Sequence, residues 1–110
     1  MNISVIVVTY NEEKNIGKCL DSIFRLLDNS NHDFEVILVD SCSKDKTIEM
    51  VRNYDIKKIS LLNLRSPSAA KFIGFQNSTG NFLLFMDGDM ELLMTNKDLN
   101  NCLNYLKNKN

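Results

Sequence analysis

The sequence is short of the residues that build several common sites. It has one histidine, His32, and three cysteines, Cys19, Cys42 and Cys102, placed far apart. That odd, scattered set argues against a disulfide framework and against the paired spacing of a zinc site, and it points to reduced thiols. Cys42 sits in a polar stretch with no histidine near it in sequence, so no activated cysteine nucleophile is expected. The best-known phosphate loops are missing too. No G-x-G-x-x-G follows the first apolar run, and no G-x-x-x-x-G-K-[ST] occurs anywhere. Long apolar runs are also lacking. Ile3–Val8 and Phe82–Met86 fall far below the ~20 residues that a bilayer-spanning helix needs, and the N-terminus lacks the basic segment of a secretory signal. No transmembrane segment is expected, and the setting read from the chain is cytoplasmic, the cytoplasmic face of a membrane included. The formal net charge of -1 leaves no global field to favour nucleic acid or an anionic surface. No nucleic-acid partner is expected, and any ligand must be recognised locally.

What remains is an ordinary globular composition over 110 residues, the size of one domain. Apolar runs alternate with helical periodicity. Ile3–Thr9 is rich in β-branched residues and reads as a strand buried on both faces. Ile16, Leu20, Ile23, Phe24 and Leu27 then recur at helical spacing, with Glu12 and Glu13 placed to favour the helix start. Phe34–Val39 repeats the buried-strand pattern and ends at Asp40. Ser43 or Asp45 is a candidate cap for a second helix, with Ile48, Val51 and Tyr54 as its stripe. A weaker strand is expected near Ile59–Leu62. A third helix, roughly Ser68–Asn77, opens on Pro67 and is ended by Thr79-Gly80, and Phe82–Met86 forms a fourth strand. Leu99, Cys102, Leu103 and Leu106 mark a last helix in an asparagine-rich tail, a richness read as codon bias rather than function. Strands alternating with amphipathic helices specify an α/β fold, three layers deep, with a mostly parallel sheet flanked by helices.

In such open sheets, ligands bind beyond the carboxyl ends of the strands, where strand order reverses. Polar residues follow the strands at that edge: Thr9-Tyr10-Asn11, then Asp40-Ser41, then Asp87-Gly88-Asp89. With no phosphate loop, a bound nucleotide would need another counter-charge. Asp87 and Asp89 could supply one through Mg²⁺ or Mn²⁺, which hard carboxylate oxygens suit. Gly88 would permit a tight turn that faces both side chains to one pocket. Each residue also has a plainer reading. Thr9 could simply end a strand, Tyr10 pack as a surface ring, Asp40 cap a turn, and Lys71 sit solvated on its helix.

Three linked segments resemble family 2 glycosyltransferases. Ser4–Glu12 resembles their opening strand and loop. Asp40, with Ser43, Asp45 and Thr47, is similar to their V-D-x-x-S-x-D-x-T motif. Ala70-Lys71, Gly74, Gly80, Phe85 and Asp87-Gly88-Asp89 are similar to their A-[RK]-x-x-G…G…F-x-D-x-D segment. Phe72 departs from the asparagine that often follows the basic residue. The resemblance implies a GT-A fold whose N-terminal half binds a nucleotide-diphosphate sugar, UDP-sugar favoured. By position, it implies that Thr9, Tyr10 and Glu12 line the nucleotide pocket and that Asp40 accepts a hydrogen bond from the base. It places Lys71 near the diphosphate, Asp87 on the ribose or metal, and makes Asp89 the main metal ligand. Asp45 and Thr47 are assigned to capping and packing.

The resemblance also implies an acceptor-binding half and a catalytic base after Asp89, where only about twenty residues follow. Residues 1–110 are therefore expected to be the donor-binding part of a longer, inverting enzyme, and the catalytic base is not assigned. Glu91 and Asp98 do not occupy the family's position for it. The rival readings are a non-catalytic nucleotide-binding or interaction module and, less favoured, a nucleotidyltransferase, which relies on a glycine-rich basic loop where Tyr10-Asn11-Glu12-Glu13 stands. Loss of a covering half would leave apolar surface exposed, so self-association is expected.

Overall fold

The computed structural model describes residues 2–109. Four strands and four helices alternate: β1 (Asn2–Thr9), α1 (Ile16–Asp28), β2 (Asp33–Ser41), α2 (Thr47–Val51), β3 (Lys58–Leu62), α3 (Pro67–Gln76), β4 (Phe82–Asp87) and α4 (Asn96–Lys107). The strands form one parallel sheet in the order β3-β2-β1-β4. From β1 the chain steps outward through β2 to β3, then returns across β1 to place β4 on its other side. The reversal of strand order therefore falls between β1 and β4, where the general rule for open sheets puts a ligand.

The two central strands bury both faces, as their unbroken apolar runs require. Ile3, Val5 and Val7 of β1 join Val36 and Leu38 of β2 beneath α1, together with Val51 of α2 and Leu99 and Leu103 of α4. On the opposite face Ile6, Val8, Ile37 and Val39 pack against Ala70 of α3. Three layers result. α3 can lie close because Gly74 has no side chain: a Cβ there would stand 2.3 Å from Ile6 Cγ2.

Several expectations about local structure change in the fold. α2 ends at Val51, and Tyr54 lies beyond it. The Tyr54 ring stacks on Phe24 with centroids 6.1 Å apart, and its hydroxyl donates to Asp21 Oδ1 at 2.9 Å. In α4 only Leu99 and Leu103 are buried, while Cys102 and Leu106 face out. Beside these two leucines, the helix is held by asparagines that carried no expected role: Asn96 Nδ2 donates to Asn29 O at 3.0 Å, and Asn100 Oδ1 lies 2.7 Å from His32 Nε2.

The amino-terminal edge of the sheet is locked around one carboxylate. Glu35 Oε2 accepts from the Ser4 hydroxyl at 2.6 Å and from the Thr79 N–H at 2.7 Å. Ser4 Oγ in turn accepts from the Gly80 N–H at 2.8 Å, and Lys57 Nζ lies 3.2 Å from Glu35 Oε1. Burial alone would raise the Glu35 carboxyl, but the hydrogen bonds from Ser4, Thr79 and Lys57 outweigh it and hold the group down at about 2. The network fastens the α3–β4 turn to β1 and β2.

This carboxyl titrates at about 2 when folded against an ordinary 4.5, so the unfolded chain takes up the proton first as pH falls. Its stabilisation is complete above the ordinary value and is lost as pH drops toward 2. Glu35→Gln should therefore lower the urea midpoint near neutral pH, and its deficit relative to wild type should close progressively below about 4.5. Urea titrations at a series of pH values check this.

Candidate active site

The chain leaves β1 through a left-handed residue, Asn11, with φ 51°, and leaves β2 through another, Cys42, with φ 54°. Asparagine is among the residues that adopt this conformation most readily. The two loops are stitched together. The N–H groups of Asn11, Glu12 and Glu13 donate to Ser43 Oγ at 2.8 Å, Thr47 Oγ1 at 2.8 Å and Asp45 Oδ2 at 3.2 Å. Asn11 Oδ1 reciprocates by accepting from the Lys44 N–H at 2.7 Å. Asp45 Oδ1 also accepts from the N–H and the hydroxyl of Thr47. Burial would raise the Asp45 carboxyl, yet these bonds from Thr47 and Glu13 hold it below the usual range. Of the two candidate caps for α2, Asp45 takes the first helical N–H, whereas Ser43 turns back to Asp40 and Asn11.

Glu12 and Glu13 do not sit in the first turn of α1. That helix begins at Ile16 with no acidic residue in its first turn, and the Glu12 carbonyl accepts from the Asn15 and Ile16 N–H groups. The loop stitching sets this start, because it ties down residues 11–13 before the helix can begin. The Glu12 side chain is left to point elsewhere.

It points into a cavity of about 280 Å³ at the carboxyl edge of the sheet. Thr9, Tyr10 and Glu12 line it from the end of β1, and Ser41 from the end of β2. Arg65, Pro67 and Lys71 close it from the β3–α3 connection and the first turns of α3. Asp87, Gly88 and Asp89 complete it from the end of β4. The register explains the convergence, since Thr9 pairs with Asp40 across β2 and Val8 pairs with Asp87 across β4. Six of the seven residues singled out from the sequence therefore share one cavity. The seventh, Asp40, lies just behind its wall at 2% exposure. Asp40 accepts from the Thr9 hydroxyl at 2.6 Å and the Ser43 N–H at 2.8 Å, and also from the Ser43 hydroxyl.

Gly88 is required for a different reason from the expected turn geometry, since no glycine has positive φ. A Cβ at Gly88 would come within 2.9 Å of Thr9 Cγ2 and 3.0 Å of Glu12 Cγ. It is space, not backbone freedom, that the position demands.

The electrostatics of the cavity are dominated by carboxylates. Burial raises the Glu12 carboxyl, followed by the nearby charge of Asp89, with Asp45 and Asp87 adding to it against a hydrogen bond from Asn15. Glu12 Oε2 is buried with no hydrogen-bond partner among the described residues. Burial, with Asp89, Glu12 and Asp87 behind it, pushes the Cys19 thiol up to about 12, so it stays protonated and is no nucleophile. Among the described residues no group of three or more histidine, cysteine or acidic side chains is arranged to hold a metal ion. The donor set still fits a hard cation of the magnesium type, which is commonly held by one or two carboxylates plus substrate phosphates.

Sequence reasoning passed over Arg65. Its guanidinium carbon lies 4.2 Å from the centroid of the Tyr10 ring. The signal was present, for Asn63–Arg65 follows the third strand just as the other polar segments follow theirs. The weaker strand pattern before it and the lack of a carboxylate hid it.

The fold is that of the GT-A transferases. A family model described as glycosyl transferase family 2 matches residues 4–110, and the chain belongs to that family. The poly(ribitol-phosphate) β-N-acetylglucosaminyltransferase TarS of Staphylococcus aureus is 39% identical over 94 residues, which are 81% of this chain and 16% of that protein. The crystal structure of S. aureus TarS 1-349 in complex with UDP-GlcNAc matches with a TM-score of 0.79 at 30% identity, covering 98% of this chain and 32% of that one. The mannosyltransferase PcManGT from Pyrobaculum calidifontis, in complex with GDP-Man and Mn²⁺, matches with a TM-score of 0.80 at 28% identity. It is covered over 94% of this chain and 32% of its own. The chain thus spans about a third or less of these three proteins.

Thr47 is fully buried, and its hydroxyl is the acceptor for the Glu12 N–H. Thr47→Val keeps the shape and removes that acceptor, so it should cost ~1–3 kcal/mol in chemical denaturation, the usual penalty for stranding a buried donor. The same variant should weaken any ligand held through Glu12 or Tyr10, which titration calorimetry would register.

Proposed function

We propose that this chain holds the donor of an inverting glycosyltransferase, a nucleotide-diphosphate sugar with uridine favoured as the nucleoside. The observation that carries this reading is the meeting of Tyr10, Glu12, Lys71, Asp87 and Asp89 in one crevice at the β1/β4 switch point. Thr9 and Tyr10 form the nucleoside end of the site. Asp40 has three of a carboxylate's roughly four acceptor positions filled, which leaves one for a base N–H. Lys71 stands at the first turns of α3, where its charge and the positive end of the helix both favour a diphosphate. Asp87 reaches the ribose or a metal, and Asp89 is the principal metal ligand. The ion is Mg²⁺ or Mn²⁺. The unpartnered Glu12 oxygen beside these carboxylates supports a cation at this spot. Such an ion would neutralise charge developing on the leaving diphosphate. The UDP-GlcNAc and GDP-Man complexes of the similar transferases support a nucleotide-sugar ligand.

The reaction also needs a carboxylate to take the proton of the acceptor hydroxyl. Asp98 is not that group, because it closes the capping box of α4: its Oδ2 accepts from the Thr95 N–H and its own N–H donates to Thr95 Oγ1, both at 3.1 Å. No base is assigned among residues 1–110, and the similar transferases are several times longer than the stretch this chain matches. The surface left open fits a site completed by further covering structure. Leu83 and Phe85 project from β4 on the side where α3 packs over β1 and β2 instead, and Phe85 is 41% exposed. Phe72 and Phe75 of α3 are 58% and 52% exposed. As for the membrane, no helix among the described residues is long and apolar enough to cross one.

Titrating UDP into the chain with Mn²⁺ should give binding that EDTA abolishes and that Asp89→Ala weakens at least tenfold, the loss of one charge-assisted contact being ~1.5–3 kcal/mol. No heat from a demonstrably folded chain would sink the donor-site reading for residues 1–110 on their own. In sedimentation at high concentration the chain should self-associate, and Phe85→Ser should reduce it. A monomeric profile throughout would count against the exposed face being a covered one.

A further inference from the structure

The assignments above leave Arg65 without a role, although it lines the same cavity as Lys71 and rests on Tyr10. The two residues come from different loops, after β3 and after β1, so the contact joins opposite walls of the cavity. Among the described residues no carboxylate pairs with Arg65, despite Glu12, Asp87 and Asp89 in the same cavity. The Tyr10 ring is its partner. An exposed cation over an aromatic face is a weak contact. A guanidinium against a phosphate is a strong one, because its planar fork can make two parallel charge-assisted hydrogen bonds. The face of Tyr10 that Arg65 covers is also what a nucleobase would use, since aromatic side chains are the common stacking platform for bases.

We infer that Arg65 is a specificity-determining residue that covers the Tyr10 ring in the free protein and transfers to the diphosphate when a nucleoside diphosphate enters. This rests on the donor-site reading. A nucleoside alone must displace Arg65 from Tyr10 and offers nothing in return. A nucleoside diphosphate displaces it and supplies a stronger partner nearby. Arg65 therefore weakens binding of nucleosides and strengthens binding of nucleoside diphosphates, and the selectivity comes from one side chain exchanging partners. Charge supports the exchange. The cavity wall carries three carboxylates and two cations, so with a divalent ion bound its net charge is about +1, which favours an anionic diphosphate over a neutral nucleoside.

The test compares UDP, by calorimetry with Mn²⁺, and uridine, by ligand-detected NMR, on wild type, Arg65→Ala and Arg65→Lys. Arg65 is exposed, so neither substitution threatens the fold. Arg65→Ala should weaken UDP on the order of tenfold or more while leaving uridine unchanged or tighter. Arg65→Lys should recover part of the UDP affinity, because the charge returns without the planar fork. If Arg65→Ala weakens both ligands alike, Arg65 is a prop for Tyr10 and the exchange is wrong. If it changes neither, Arg65 is a bystander and the inference falls while the donor site stands. If folded wild type binds neither UDP nor uridine, the donor-site reading fails and takes this inference with it.

Discussion

Three successive N–H groups after β1, those of Asn11, Glu12 and Glu13, belong to no strand and precede the helix. Ser43, Thr47 and Asp45, some thirty residues away, take them up one by one. Leaving such donors without partners would cost on the order of 1–3 kcal/mol each where they are buried. The cost explains why the loop after β2 must have short oxygen-bearing side chains at fixed spacing. It also explains why α1 cannot start before Ile16. With the backbone held from the β2 side, the side chains of Tyr10 and Glu12 are free to face the cavity. Asp40 works to the same end by holding the Thr9 and Ser43 hydroxyls. The motif in the second loop is thus first a device for shaping the first loop, and the ligand site is its product.

The two ends of the sheet show what a carboxylate does in opposite surroundings. Glu35, at the amino edge, meets donors on several sides and is held as an anion down to about 2. Glu12, at the carboxyl edge, meets burial and other carboxylates, and its proton is harder to remove. The first arrangement is structural, and its one oxygen without a hydrogen bond faces the Lys57 ammonium at 3.2 Å. The second is unbalanced, with a buried oxygen unpartnered, and imbalance of this kind is tolerated where a ligand or ion completes it. Parallel strands enforce the difference, because they bring every carboxyl end to the same edge. Connections that cross from β3 to β4 then leave the crevice open between β1 and β4.

The same topology explains the uneven surface. α3 covers β1 and β2 but not β4, so Leu83 and Phe85 stay exposed although their register partners, Ser4 and Ile6, are buried. An edge strand with apolar residues on its uncovered side is costly in a free-standing domain. It fits a chain that spans only part of the proteins it resembles.

Nearly all of the architecture was legible in the residues. Unbroken β-branched runs mark strands buried on both faces, helical spacing marks the covers, and their alternation leaves few alternatives to a parallel sheet. The positions of Thr9, Tyr10, Glu12, Asp87 and Asp89 followed, since each lies at or within a few residues of the carboxyl end of a strand. These are local properties, encoded within a few residues of where they act. What only the tertiary structure decided depends on partners far away along the chain. The start of α1 depends on the β2 loop, and the place of Tyr54, beyond the end of α2, on Phe24 and Asp21. The need for Gly88 comes from Thr9 and Glu12, and the docking of α4 from Asn29 and His32. Arg65 belongs to this second kind. Its charge was visible in the sequence, but its place over Tyr10 exists only once β3 and β1 stand in one sheet.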